Sequence, residues 1–159
     1  MDAKEYNRCV REWSDAVFRF ARKCTGNVED ARDAVQTAFA ALWEARESVP
    51  EPKAKAYLFQ VAYRQSVDAH HHNTRIAPED HVVERSVSPN TELRRTLDKA
   101  LDRLDDRSRA LVMLKDWEGY SYEEIARIAG LTDAQVRVYL HRARKTLKEF
   151  LISVETVLS

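Results

Sequence analysis

Residues Tyr120–Lys148, YSYEEIARIAGLTDAQVRVYLHRARKTLK, decide the fold of the C-terminal part of the chain. Ser121 and Glu124 have the spacing of a capping box, in which each side chain binds the backbone N–H of the other residue, so a helix begins here. Gly130 favours the left-handed conformation that commonly ends a helix. The stretch between these signals carries an apolar stripe at helical spacing, formed by Ile125, Ile128 and Ala129.

A second helix begins almost immediately after the first one ends. Thr132 and Gln135 form another capping box, and only Leu131 separates Gly130 from it. The apolar residues behind this box predict one buried helical face: Val136, Leu140, Ala143 and Leu147. Two short helices that meet at a sharp turn indicate a helix-turn-helix, whose second helix enters the major groove of DNA.

The charge of the second helix supports DNA contact. Between Val136 and Lys148 there is no acidic residue, and the basic residues are Arg137, Arg142, Arg144, Lys145 and Lys148. Positive charge concentrated in this way favours contact with phosphates. The alternative is that these cations only complement the negative end of the helix dipole.

The composition of the whole chain predicts an all-α protein. Its 159 residues include three glycines and four prolines, and its 26 acidic and 26 basic residues balance. The sequence has no signal peptide and no apolar run long enough for a membrane helix, so we expect a cytoplasmic protein. Cys9 and Cys24 fit neither a disulfide framework nor a metal motif, and we expect buried thiols.

Two further helices are predicted near the N-terminus. The first runs from Tyr6 to about Lys23 and turns at Thr25-Gly26, and Asn27 can cap the second, from Val28 to about Glu47. Residues 28–51 contain six acidic and two basic residues, a net charge of −4. The outer face of the second helix is therefore expected to meet protein or solvent and not DNA.

A third helix is predicted from about Lys53 to His72, after two prolines break the pattern. It carries Tyr57, Phe59 and Tyr63, and helical geometry cannot bury all three, so an accessible aromatic ring could stack on unpaired bases. Residues 73–91 have no helical periodicity. We predict two small helical domains, residues 1–72 and 92–159, joined by a linker over residues 73–91, with a four-helix C-terminal unit.

Several of these stretches resemble the sigma-70 family of bacterial RNA polymerase sigma factors, and most closely its short extracytoplasmic-function (ECF) group. The residues that carry the resemblance are DARDAVQTAF at 30–39 with Trp43, YLFQVA at 57–62 with Asp68, YSYEEIA at 120–126 and LHRAR at 140–144. They occur in the order found in the family and extend over nearly the whole chain.

The resemblance implies a promoter-specificity subunit that binds core RNA polymerase, through the clamp helices of its largest subunit and the flap of its second-largest subunit. The residues implied to bind polymerase are Asp33, Ala34, Val35, Gln36 and Phe39. Those implied to contact the −10 promoter element are Tyr57, Tyr63 and Arg64. Those implied to read the −35 element from the recognition helix are Ala134, Gln135, Arg137, Val138, His141 and Arg142. The family also makes an anti-sigma factor a plausible partner.

Two other classes of function compete with this interpretation. A stand-alone helix-turn-helix regulator would explain the C-terminal region but has no need of DARDAVQ in the N-terminal region. A metal-dependent enzyme could use His70, His71, His72 and His81, but three consecutive helical residues point in three directions. With no phosphate loop and no nucleophile–base pair, we expect no enzyme activity, no cofactor and no metal.

Overall fold

A computed structural model describes residues 1–68 and 91–158, and every regular element within these ranges is a helix. The N-terminal helices are α1 (Ala3–Thr25), α2 (Val28–Glu44) and α3 (Glu51–Tyr63). The C-terminal helices are α4 (Thr91–Asp102), α5 (Asp106–Val112), α6 (Tyr122–Ala129) and α7 (Asp133–Leu158). The predicted all-α fold with two helical regions is confirmed. The histidines at positions 70, 71, 72 and 81 and the predicted linker up to residue 90 lie outside the described residues.

Local hydrogen bonds explain where α1 and α2 begin and end. The Asn27 side chain accepts from two backbone amides of the first turn of α2, and Gly26 ends α1 with φ 72°, as predicted. Asp2 and Glu5 form a further capping box, so α1 begins at Ala3, earlier than predicted. In contrast, α2 ends at Glu44, about one turn before the predicted end.

The third helix changes its winding near its end. The regular α-helix stops at Tyr63, and a π-helical segment, Arg64–Asp68, continues it. A second π-helical segment, Met113–Trp117, extends α5 toward the helix-turn-helix. Neither segment was predicted, and both lie beside the contact between the two helical regions.

The two regions pack directly against each other through aromatic rings. Phe59 of α3 meets Phe20 of α1 edge-on at 5.3 Å between ring centroids, and meets Tyr120, just before α6, at 5.7 Å. The ammonium of Lys55 lies over the rings of Trp13 and Tyr120, at 4.7 and 5.0 Å from their centroids. Burial of these rings joins the cores of the two regions into one.

Arg109 fixes the turn between α4 and α5, although it is a charged residue with only 2% of its surface exposed. Its guanidinium donates hydrogen bonds to the carbonyl oxygens of Leu101 and Leu104 and to the carboxylate of Asp106. Asp105 caps α5 by accepting a hydrogen bond from the amide of Ser108. The free-energy cost of burying this guanidinium is small because its donors are hydrogen-bonded. The guanidinium also satisfies carbonyl oxygens at the end of α4 that have no partner within the helix.

Candidate functional site

The predicted helix-turn-helix is confirmed in α6 and α7, and both capping boxes are formed. The Ser121 hydroxyl accepts from the amide of Glu124 at 3.1 Å, and the Glu124 carboxylate accepts from the amide of Ser121 at 3.0 Å. These hydrogen bonds lower the pKa of Glu124. The reciprocal pair between Thr132 and Gln135 has distances of 3.1 and 2.9 Å, and Gly130 makes the turn with φ 69°.

The recognition helix α7 buries one face and exposes the rest. Val136, Leu140 and Ala143 are buried against the core, and Leu147 packs at its edge, as the apolar spacing predicts. The residues predicted to read the −35 element are all exposed: Ala134, Gln135, Arg137, Val138, His141 and Arg142. Their exposure makes DNA contact possible, and their individual roles stay predictions.

Two cations of this region, Lys115 and Arg137, lie over one aromatic ring, Tyr122, that the sequence analysis did not select. The guanidinium carbon of Arg137 lies 4.2 Å from the ring centroid of Tyr122, and the ammonium of Lys115 lies 4.7 Å from it. Arg144 pairs with Asp116 at 2.9 Å. Burial lowers the pKa of the Arg144 guanidinium, but side-chain hydrogen bonds to Asp116 and Tyr122 outweigh this and raise it. We call Lys115, Asp116, Tyr122, Arg137 and Arg144 the Tyr122 cluster.

The residues predicted to contact the −10 element differ in accessibility. Arg64 is exposed and Tyr57 is half-buried, whereas Tyr63 is only 1% exposed. Tyr63 and Arg64 line a cavity of about 330 Å³ between the helical regions, which Arg107 and the α6–α7 turn complete. A hydrogen bond to the hydroxyl of Tyr139 raises the pKa of the Arg107 guanidinium. The predicted contact of Tyr63 with promoter DNA would require that this cavity opens.

The predicted polymerase-binding residues lie on α2 but do not share one surface. Asp33 and Gln36 are exposed, and Val35 is half-buried. Ala34 and Phe39 belong to the core, with 3% and 8% of their surfaces exposed. A motif identifies all five together, whereas the structure separates those that can meet a partner from those that hold the helix in place.

Three smaller observations concern metals, thiols and membranes. Within the residues that the structure describes, no three His, Cys, Asp or Glu side chains come close enough to hold a metal ion. Cys9 and Cys24 are buried thiols, as expected. None of the described helices combines the length and the apolar character needed to cross a bilayer.

The sequence matches known proteins along most of its length. A model of Sigma-70 region 2 matches residues 9–76, and a model of Sigma-70, region 4 matches residues 94–147. The ECF RNA polymerase sigma factor SigE of Mycolicibacterium smegmatis is 31% identical, over 92% of this chain and 61% of that protein. The RNA polymerase sigma-E factor of Streptomyces coelicolor is 30% identical over 94% of this chain and 87% of its own length.

Two solved structures have a similar fold. The sigma factor RpoE in complex with the anti-sigma factor NepR from Bartonella quintana has a TM-score of 0.72 and 22% identity, over 94% of this chain and 98% of that one. CnrH in complex with the cytosolic domain of CnrY also has a TM-score of 0.72, with 25% identity over 96% and 90% of the two chains. The match to region 2 does not favour a stand-alone regulator. The chain belongs to the ECF group of the sigma-70 family of RNA polymerase sigma factors.

Proposed function

We propose that this chain binds core RNA polymerase and directs transcription initiation from promoters with defined −10 and −35 elements. The observation that carries the proposal is the opposite charge of two exposed helical surfaces in one chain. The second helix, α2, presents the acidic segment of the chain, and α7 presents a basic, capped recognition helix. Acidic surfaces are repelled by DNA, so α2 suits a protein partner and α7 suits the duplex.

Within this proposal the chain has no catalytic role of its own, because polymerase makes the RNA, and it acts in the cytoplasm, where polymerase and DNA are found. Residues 1–72 would contact the clamp helices and the −10 element. Residues 92–159 would contact the flap and the −35 element. Two fold relatives are held by anti-sigma factors, which supports such a factor as a further partner of this chain.

The test is a pull-down of purified bacterial core polymerase with the chain, followed by run-off transcription from a library of genomic fragments. We expect binding, and transcripts that begin only at a subset of fragments sharing two sequence elements. Sequence-specific retention of duplex DNA without polymerase binding would refute the proposal and favour a stand-alone regulator.

A double variant tests the polymerase surface. Asp33→Ala with Gln36→Ala removes two exposed side chains of α2 and should abolish polymerase binding while leaving helicity intact. Phe39→Ala is unsuitable for this purpose, because truncating a buried aromatic ring costs about 3–5 kcal/mol of stability. The matched control is Asp15→Ala with Asn7→Ala, which removes an exposed acid and an exposed amide from α1. If the α2 variant binds polymerase as tightly as this control, the assignment of the surface is wrong.

The −10 assignment is tested at its exposed residue. Arg64→Ala should reduce promoter opening, measured as permanganate reactivity of unpaired thymines, while polymerase binding is unchanged. Undiminished reactivity would remove Arg64 from the −10 contact.

A further inference from the structure

Helix α7 presents its exposed residues on two distinct sides. Ala134, Val138, His141 and Arg142 recur at steps of three or four residues, on the side opposite the buried Val136, Leu140 and Ala143. Arg137 and Arg144 are seven residues apart and therefore lie on another side, which is the flank that α7 turns toward α6. Arg137 lies over the ring of Tyr122 on α6, and Arg144 pairs with Asp116, which precedes α6, so both guanidinium groups lie on that flank.

The Tyr122 ring holds cations that would otherwise repel each other. The face of an aromatic ring attracts cations, and Arg137 and Lys115 both lie within the distance at which this attraction acts. Asp116, the residue after Lys115, holds the guanidinium of Arg144 at 2.9 Å. Three cations thus lie on one flank, two of them over the ring and the third paired with a carboxylate, and each is at least partly exposed. Three positive groups that are already ordered form a binding site for an anion with several oxygen acceptors.

We infer that the Tyr122 cluster is a binding site for a phosphate group of the DNA backbone, in which Arg137 is a phosphate contact and not a reader of bases. The inference rests on the proposed function. In helix-turn-helix complexes the second helix enters the major groove and the first crosses the backbone, so the flank between α6 and α7 faces phosphates. Base reading by α7 then falls to the opposite, outward side, which holds Val138 and Arg142.

The residues of the Tyr122 cluster have different roles in the proposed site. Arg137, Lys115 and Arg144 donate to phosphate oxygens. Tyr122 is a positioning residue that fixes Arg137 and Lys115 before DNA arrives, which lowers the entropy lost on binding. Asp116 opposes binding, because its carboxylate competes with the phosphate for Arg144.

The experiment uses the chain assembled with core polymerase, and promoter duplexes that differ by single base pairs in the −35 element. For each variant, affinity is measured for every duplex and at several salt concentrations. Arg137→Ala should weaken binding by roughly tenfold on all duplexes, keep their ranking, and reduce the slope of log affinity against log salt by about one. Arg142→Ala removes the same charge from the outward side of the same helix and should change the ranking.

Two further variants separate positioning from charge. Tyr122→Leu changes no charge and should weaken binding about two- to fivefold on all duplexes, whereas Tyr122→Phe keeps the ring and should recover most of this loss. Asp116→Asn should strengthen binding roughly two- to fivefold, because a competing exposed ion pair is removed. A variant that only damages the fold cannot strengthen binding, so a gain distinguishes the loss of a competing carboxylate from damage to the fold.

Several results would overturn the inference. They are a changed ranking of duplexes in Arg137→Ala, an unchanged salt slope in that variant, identical effects of Arg137→Ala and Arg142→Ala, or weaker binding in Asp116→Asn. A wild-type chain that gives polymerase no promoter preference would refute the proposed function, and the phosphate site with it. That result comes from the wild-type chain alone, so it can be distinguished from variants that do not show the expected changes in binding.

Discussion

The ion pair between Arg19 of α1 and Glu118, which precedes α6, tests whether the two helical regions stabilise each other. The Arg19 guanidinium lies 3.0 and 3.2 Å from the two carboxylate oxygens. The two side chains differ in environment, since 49% of Arg19 is exposed and only 4% of Glu118 is. Removing either partner breaks the same ion pair, but the side chain that is left without its partner is exposed in one case and nearly buried in the other.

Arg19→Ala should cost more stability than Glu118→Gln. The first variant leaves a nearly buried carboxylate without its cation. Loss of a partner from a fully buried pair costs about 3–5 kcal/mol, and an unsatisfied polar group costs about 1–3 kcal/mol. Because the half-exposed site of Arg19 lets water reach one edge of the carboxylate, we expect about 2 kcal/mol for Arg19→Ala. Glu118→Gln leaves an arginine that water solvates, and should cost less than about 1 kcal/mol.

The assay is urea unfolding of the full chain, followed by far-ultraviolet circular dichroism. Arg11→Ala is the matched control, because Arg11 is an exposed arginine of the same helix, and it should change stability by less than about 0.5 kcal/mol. Equal losses for Arg19→Ala and Glu118→Gln, or a larger loss for Glu118→Gln, would refute the argument from burial.

Four other substitutions test the fold by the same unfolding measurement. Ser121→Ala removes the cap of α6 and should cost about 1 kcal/mol. The capping hydrogen bonds lower the pKa of Glu124 below its ordinary value of 4.5. The Glu124 carboxylate therefore stabilises the fold fully above pH 4.5, and this stabilisation disappears as the pH falls through the folded pKa. The stability lost in Glu124→Ala should accordingly shrink below pH 4.5. Gly130→Ala should cost about 1 kcal/mol through its positive φ alone, since a β-carbon there meets no other atom within 4 Å. Phe20→Ala should cost about 3–5 kcal/mol by emptying the core beside Phe59.

The parts of the fold that could be predicted from sequence are those fixed by neighbours a few residues apart. Ser121 and Glu124, like Thr132 and Gln135, are three residues apart, so their hydrogen bonds follow once the helix begins. The turn at Gly130 depends only on the conformational freedom of that residue. For these reasons the helix-turn-helix was predictable almost residue by residue.

The contacts that join distant segments could not be predicted in the same way. Phe59 and Tyr120 meet edge-on although 61 residues separate them in the sequence, and no periodicity pairs them. Arg109 looks like an exposed helical arginine until the carbonyl oxygens that receive its hydrogen bonds are known. The π-helical segment after Tyr63 contacts α1, α2 and α5, which are distant from it in the sequence, and no periodicity predicts it.

In the candidate site, too, local spacing predicts some features, whereas contacts between helices decide others. The spacing of apolar residues in α7 separates buried from exposed positions correctly, but it cannot tell the outward side from the flank beside α6. That distinction depends on Tyr122, which belongs to another helix and meets Arg137 only after the turn at Gly130 brings the helices together. Similarly, the family motif on α2 contains Gln36 and Phe39 alike, although one is exposed and the other lies in the core.

The packing of the two regions limits the order in which the predicted promoter contacts can form. The predicted −35 residues of α7, such as Val138 and Arg142, are exposed while Phe59 and Tyr120 hold the regions together, so α7 can meet duplex DNA without any rearrangement. Tyr63 is enclosed by the same contact and can stack on an unpaired base only after α3 and α6 separate. Duplex recognition can therefore precede this separation, whereas the predicted contact of Tyr63 with an unpaired base would have to follow it. Arg64 is already exposed, so it is the −10 candidate that needs no separation.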